Sequence, residues 1–374
     1  MTKAACVSDY RALAKARLPH FLFEYLDGGS YAEATLRRNV ADLEAVALRQ
    51  RVLRDVSRID LSTELIGKTW SMPVGLGPVG LAGLYARRGE VQAARAAADA
   101  NVPMALSSVS GCSLREVAAS GNVPWYQLYF VKDRGFVAEL IKTAKEVGCE
   151  ALVLTVDLAV PGSRYRDYRA AGGGPRRWAQ LLSRPNWLWD VGIHGRPHSL
   201  GNLEPIVGRR APLADFQKWI QNNFDASVSW ADVQWVRERW DGPLIIKGIL
   251  DPEDARQAAA ARADAIVVSN HGGRQLDGVI STARALPRVV EAIGGQVQVL
   301  VDGGIRSGLD VVRMLALGAD FVLLGRAWAY ALAAAGGAGV SHALKLIEAE
   351  MRVAMALTGH TKIGEIGKET LDLD

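Results

Sequence analysis

Two short strings in this sequence combine residues that could do chemistry. Residues 269–275 read Ser-Asn-His-Gly-Gly-Arg-Gln. A histidine followed by two glycines can stand exposed in a cleft, and His271 with Arg274 three residues later joins a general base to an anion anchor. Taken alone, the string also suits a histidine packed into a turn. Arg164 and Tyr129 add a second guanidinium and a phenol. Two Arg, one His and one Tyr suit a small carboxylate substrate that gives up a proton. The second string is Asp302-Gly303-Gly304-Ile305-Arg306, followed by Gly325-Arg326. Glycine permits close backbone approach and arginine forks match phosphate oxygens, so this pair of turns reads as a phosphate site.

Such residues need a scaffold that brings them together. Eight short apolar runs recur along the chain, at 73–77, 104–108, 125–129, 151–157, 243–247, 265–270, 297–302 and 321–325. Runs such as ALVLTVD and AIVVSN are apolar on consecutive residues, as a strand buried on both faces is. Helical patterns lie between them, at 90–100, 134–147, 252–262, 282–293 and 309–317. Asp251-Pro252-Glu253-Asp254 has the form of a helix start: an N-cap, proline at the first position, then acids at the positive end of the dipole. Eightfold alternation predicts an α/β fold, a (β/α)8 TIM barrel, with an open doubly wound sheet as the alternative. Helical segments at 20–26 and 31–46 form an N-terminal extension, and the long interval between the fourth and fifth strands is an insertion at about 165–230. The whole of 1–374 reads as one domain.

In such barrels the chemistry sits where the strands end. Those positions carry Pro78, Val79, Gly80, Ser107, Gln127, Tyr129, Thr155, Asp157, Lys247, Ser269, His271, Asp302 and Gly325. The phosphate strings close the last two strands, where barrels commonly bind phosphate. Residues 75–80 formally read G-x-G-x-x-G, but prolines 73 and 78 flank the turn and no separate dinucleotide domain is left for NAD.

Composition narrows the class. The chain has 374 residues, 49% hydrophobic and 22% charged, so it can bury a large core and is neither collagen-like nor disordered. Cys6, Cys112 and Cys149 form no zinc knuckle or CxxC pair, so a reduced environment and no metal are expected. The first ten residues lack the apolar core of a signal peptide. The stretch 321–340 approaches the length of a membrane span. Arg326 and glycines 325, 336 and 337 interrupt it, which favours a buried strand followed by a helix. No nucleic-acid partner is expected.

SNHGGRQ resembles the active-site signature of the FMN-dependent 2-hydroxy-acid dehydrogenases and oxidases. The similarity extends through FEYLDGG, YQLY, TVD, IKG, VDGG and LLGRA, over almost the whole chain. YARRGEVQAA, WDVGIHGRPHSLGN, NNFD and KGILDPEDAR are most similar to its bacterial membrane-bound L-lactate dehydrogenase branch. The resemblance implies FMN at the barrel mouth. Its ring would lie by Pro78, Val79 and Gly80, with Ser107, Gln127, Thr155, Lys247 and Ser269 in contact. Asp302 would hold the ribityl chain, and Gly303, Gly304, Arg306, Gly325 and Arg326 the phosphate. Arg164 and Arg274 would clamp a 2-hydroxy-acid carboxylate, assisted by Tyr25 and Tyr129. His271 would be the catalytic base, oriented by Asp157. L-lactate oxidation to pyruvate is the implied reaction, with (S)-mandelate or another L-2-hydroxy acid as the alternative. A non-catalytic flavin-binding barrel is disfavoured by the intact His271, Arg274 and Arg164. Gly80 stands where the family's oxidases usually carry Ala, which favours an acceptor other than oxygen. Val109 stands where glycolate oxidase has Trp, which widens the pocket.

The insertion has its own character. Residues 164–210 contain nine Arg, no Lys and three acids, a net charge of +6, and seven of the ten Trp lie between 178 and 240. Arg with Trp and Leu is the makeup of a segment in the headgroup region, though a lid or a subunit interface has similar composition. The resemblance favours peripheral contact with the cytoplasmic side of the cell inner membrane, quinone as electron acceptor, and a homo-oligomer, usually a tetramer.

Overall fold

The computed structural model describes residues 4–170, 174–196, 198–204, 219 and 222–372. A short antiparallel hairpin, β1 (Thr63–Leu65) and β2 (Lys68–Trp70), comes first. The eight apolar runs follow as parallel strands: β3 (Val74–Leu76), β4 (Ala105–Ser107), β5 (Trp125–Leu128), β6 (Leu152–Thr155), β7 (Leu244–Ile249), β8 (Ala265–Val268), β9 (Gln298–Val301) and β10 (Phe321–Leu324). Their order in the sheet is β3-β10-β9-β8-β7-β6-β5-β4. A parallel bridge between Leu76 and Met104 brings β3 back beside β4 and closes the barrel.

The strands are buried on both faces, which is why their sequences do not alternate. Ala105, Trp125, Val153, Ile245, Val267, Leu300 and Phe321 fill the interior. Leu65 and Trp70 of the hairpin join that cluster, and Trp70 meets Trp125 edge-on at 6.2 Å. The hairpin therefore plugs the end where the strands start, leaving the opposite end for the site.

Helices predicted between the strands occur at Gly89–Asp99, Arg134–Glu146, Pro252–Ala260, Thr282–Ile293 and Gly308–Ala316. The Asp251 side chain accepts from the Glu253 N–H at 2.8 Å, the cap its sequence announced, worth about 1 kcal/mol. The stretch 321–340 resolves into β10 and the start of helix Arg326–Thr358, interrupted at Ala335–Gly336 where Gly336 has φ +63°. Among the described residues no helix is long and apolar enough to cross a membrane.

Helices Val7–Arg17, His20–Asp27 and Ala34–Glu44 form the N-terminal extension. Asp27, 5% exposed, fixes it to the barrel. Its carboxylate accepts from Arg11 at 2.6 and 2.8 Å, from Tyr330 of the last helix at 2.6 Å and from Arg166 at 2.9 Å. Burial alone would raise this carboxyl, but the bonds from Arg11, Tyr330 and Arg166 hold it well below the usual carboxylate range. A carboxyl held low stabilises the fold above its ordinary pKa of about 4 and loses that contribution as pH falls toward its folded value. We expect Asp27→Asn to cost roughly 3 kcal/mol or more at neutral pH. Thermal denaturation at pH 7 and pH 3.5 checks this: the difference between variant and parent should shrink at the lower pH.

Candidate active site

The polar strand ends converge on one pocket at the barrel mouth. It is lined by Tyr25, Pro78, Val79, Gly80, Tyr129, Thr155, Arg164, Lys247, His271, Arg274, Asp302, Gly303, Gly304, Arg306, Gly325 and Arg326. The remaining predicted residues stand behind it. Ser107, Gln127 and Ser269 are buried, and Asp157 lies against His271.

His271 is the first of three consecutive residues in the left-handed region, with φ of 56°, then 64° and 74° at Gly272 and Gly273. A non-glycine residue takes that conformation only when its surroundings enforce it. Here the N-terminal extension does so. Asn39 and Asn270 exchange side-chain hydrogen bonds at 2.8 and 2.7 Å, Asn270 also accepts from the Gly273 N–H, and the Ser30 N–H donates to the Gly273 carbonyl at 2.9 Å. The turn aims the His271 ring at Asp157, with Nδ1 2.9 Å from Oδ1. Space for Asp157 comes from a bulge in β7: Gly248 has φ +113°, and a Cβ there would lie 2.7 Å from the Asp157 side chain. Burial would raise the Asp157 carboxyl, but His271 and Lys247 bring it below its ordinary value. Nδ1 is thus engaged with Asp157, which leaves Nε2 for chemistry.

Arg164 and Arg274 flank the Tyr25 ring at 4.9 and 5.1 Å. Arg274 donates through Nη1 to the carbonyls of Tyr25 and Gly28, both at 2.8 Å, and Arg164 is paired with Asp167 at 3.0 Å. Each keeps further N–H groups for an anion. Tyr129 stacks between His271 and Phe224, at 6.4 and 5.3 Å, and burial pushes its phenol up.

The residues assigned to FMN fit such a group. Ser107 donates to Gln127 Oε1, and Gln127 Nε2 donates to Thr155 Oγ1, each at 3.0 Å. That chain leaves the Thr155 hydroxyl proton to face a ring acceptor. Lys247 is 2.8 Å from Ser269 Oγ and 2.9 Å from Asp302 Oδ2; burial would lower it, but Asp302 and Asp157 keep it charged. Asp302 Oδ1 is buried without a partner among the described residues, an acceptor ready for a ligand hydroxyl. At the phosphate end a Cβ on Gly304 would come within 2.3 Å of the Asn39 carbonyl, while one on Gly325 would meet only open space.

The Arg326 side chain is engaged within the protein. Its guanidinium donates to the carbonyls of Leu26, Gly272 and Gly28 at 3.2, 2.9 and 2.7 Å. It therefore fastens the extension to the His271 turn rather than offering its fork to phosphate. Its contribution to an anion is the backbone N–H at a helix N-terminus and its charge. Burial, then Arg274 and Arg306, push the pKa of this guanidinium down to about 9. The Arg306 guanidinium donates to the Ile305 carbonyl and, among the described residues, to no other group, which leaves N–H groups for an anion.

Tyr85, Leu158 and Phe224 also line the pocket and were not singled out from sequence. Phe224 comes from the end of the insertion and is held by a bridge to Val131 and a 2.8 Å bond from the Lys132 N–H to the Asn223 carbonyl. The only sequence sign of it was the NNFD string. Of the insertion expected at 165–230, residues 171–173, 197, 205–218 and 220–221 lie outside the described residues, Arg209 and Arg210 among them.

A barrel mouth with a His–Asp pair, two arginines and a phosphate turn belongs to a defined class. The FMN-dependent dehydrogenase family model matches residues 14–373, and the chain belongs to that family. It is an FMN-dependent 2-hydroxy-acid dehydrogenase. It is 59% identical to the L-lactate dehydrogenase of Chromohalobacter salexigens over 369 residues, 97% of this chain and 94% of the relative. To that of Ectopseudomonas mendocina it is 60% identical over 369 residues, 97% of each chain. Among solved structures it resembles the monotopic membrane protein (S)-mandelate dehydrogenase with TM-score 0.94, 35% identity and full coverage of both chains. A mandelate oxidase aligns with TM-score 0.85 and 38% identity over 99% of this chain and 98% of the other.

The two phosphate-end arginines separate experimentally. Arg306→Ala should weaken FMN retention by roughly tenfold or more and leave the melting temperature of the cofactor-free protein unchanged. Arg326→Ala orphans three carbonyls and should lower that melting temperature. Flavin fluorescence titration and thermal denaturation read the two effects.

Proposed function

We propose that the chain oxidises L-lactate to pyruvate and passes the electrons to a membrane quinone or another acceptor that is not oxygen. The observation that carries the reading is the His271–Asp157 pair sharing one pocket with Arg164 and Arg274. Arg164 and Arg274 hold the substrate carboxylate, with Tyr25 and Tyr129 beside it. His271 Nε2 takes a proton from the substrate, and Asp157 stabilises the imidazolium that results. Lactate loses two electrons and two protons in becoming pyruvate. Bound FMN supplies the electron-accepting chemistry. Lys247 provides fixed positive charge for it, and Pro78, Val79, Gly80, Ser107, Gln127, Thr155, Ser269, Asp302, Gly303, Gly304, Arg306, Gly325 and Arg326 form its seat.

Identity near 60% to proteins named L-lactate dehydrogenase supports lactate over other acids. Likeness to (S)-mandelate dehydrogenase supports the second reading, a larger L-2-hydroxy acid. Residues 1–374 act as one dehydrogenase domain, in a homo-oligomer of the tetrameric kind. Peripheral membrane contact is supported by Trp178, Leu182, Trp189 and Ile193 of the insertion, 64%, 67%, 64% and 49% exposed. The membrane face would be the cytoplasmic side of the inner membrane.

Mixing the purified holoenzyme anaerobically with L-lactate, and separately with (S)-mandelate, tests the substrate. Fast flavin bleaching by lactate and slow bleaching by mandelate is the expected result. Fast bleaching by mandelate alone would replace the substrate. Peroxide formed in air at the rate of substrate turnover would overturn the choice of acceptor.

A further inference from the structure

A second cavity lies behind the wall of the active site. It is an open groove of about 870 Å³ between helix Val7–Arg17, the segment 183–187 and the broken last helix. Its walls are mainly apolar and small, including Leu13, Ala16, Trp187, Ala338 and Gly339. That size and lining suit an organic ligand. One residue layer separates it from the active site. Trp187 donates to the Leu84 carbonyl at 2.8 Å and Arg17 to the Tyr85 carbonyl at 3.3 Å, while the Tyr85 side chain lines the catalytic pocket.

The polar groups of the groove indicate what it takes. Arg17 is tied to the Tyr85 and Ala333 carbonyls and to Asp190. Arg184 is tied to the Leu18 and Ser183 carbonyls. Both Nη groups of Arg17 are thus engaged, and Arg184 keeps its Nη2 group. His342 is different: its Nδ1 is 2.7 Å from the hydroxyl of buried Tyr10, and its Nε2 has no partner among the described residues. With Tyr10 donating to Nδ1, Nε2 carries the ring proton and offers it to an acceptor in the groove. The groove thus presents the His342 ring as a hydrogen-bonding group on a mainly apolar surface. Leu182 and Trp189, both exposed, stand on either side of its 183–187 wall in the chain and offer a water-insoluble molecule an apolar approach.

We propose that this groove binds the oxidising substrate, a quinone, with a ring carbonyl on His342 and its tail toward Leu182 and Trp189. This deepens the reading above and rests on it for the source of electrons. Reduction of one quinone to quinol takes two electrons from substrate oxidation and two protons. His342 Nε2–H donates a hydrogen bond to the carbonyl oxygen as charge develops there, and water at the open side delivers both protons. The hydroxy acid and the quinone then occupy separate sites.

Two measurements on the holoenzyme test this. Photolabelling with an azido-quinone, followed by peptide mapping, should mark segments 4–17, 183–187 or 334–342. Label in Tyr129 or Phe224 peptides, or label in 178–193 outside 183–187 with none in 4–17 or 334–342, would overturn the proposal. In stopped-flow, His342→Leu and Ala338→Trp should match the parent in flavin bleaching and in reoxidation by a small soluble dye. Their reoxidation by decyl-chain quinone should slow about tenfold or more. Parent-like reoxidation by quinone, or equal loss with dye and quinone, contradicts the site. If lactate fails to bleach the parent, the lactate reading falls, and the photolabel still decides the groove.

Discussion

The hydrogen bond between His271 Nδ1 and Asp157 Oδ1 is the constraint on which the rest of the mouth depends. It is made over the intervening strand β7, from the loop after β8 to the end of β6, and both ends are held in costly arrangements. His271 sits in the left-handed region, and Asp157 keeps one oxygen buried without a partner among the described residues. Strain of this kind persists only where neighbours over-determine it. The neighbours are Asn39, Asn270 and Ser30 on one side, and the Gly248 bulge and Lys247 on the other.

This explains why the barrel carries an N-terminal extension. Residues 25–39 supply Tyr25 to the pocket, the Gly28 carbonyl to Arg274 and Arg326, and Asn39 to the His271 turn. Asp27 and Arg166 then fasten this extension to the start of the insertion, next to Arg164. Substrate anchors, base and extension form one connected polar network, satisfied almost throughout. Such networks fix one arrangement because each unpaired member would be costly.

Much of this was legible in the residues. The eight strands could be read because strands buried on both faces are apolar without alternation, and the helix at Pro252 because its cap is local. His271, Arg274 and the glycine turns were legible because their chemistry is rare in that spacing. The hairpin β1–β2 was missed because three-residue strands carry no period. Tyr85, Leu158 and Phe224 were missed because ordinary apolar residues in loops become pocket walls only through tertiary packing. The side-chain partners of Arg326 were not legible for a similar reason: its sequence neighbours announce a phosphate turn, while the carbonyls it bonds lie far away in the chain, at Leu26, Gly28 and Gly272.

The central claim is that Asp157 acts through His271 on the substrate's proton. The most direct measurement is the anaerobic rate of flavin reduction by saturating L-lactate in Asp157→Asn beside the parent, each carrying its full complement of FMN. A rate lower by about 10² to 10⁴, with an unchanged flavin spectrum, is the predicted result. Reduction at the parent's rate would show that the pair is structural and that the proton is taken elsewhere.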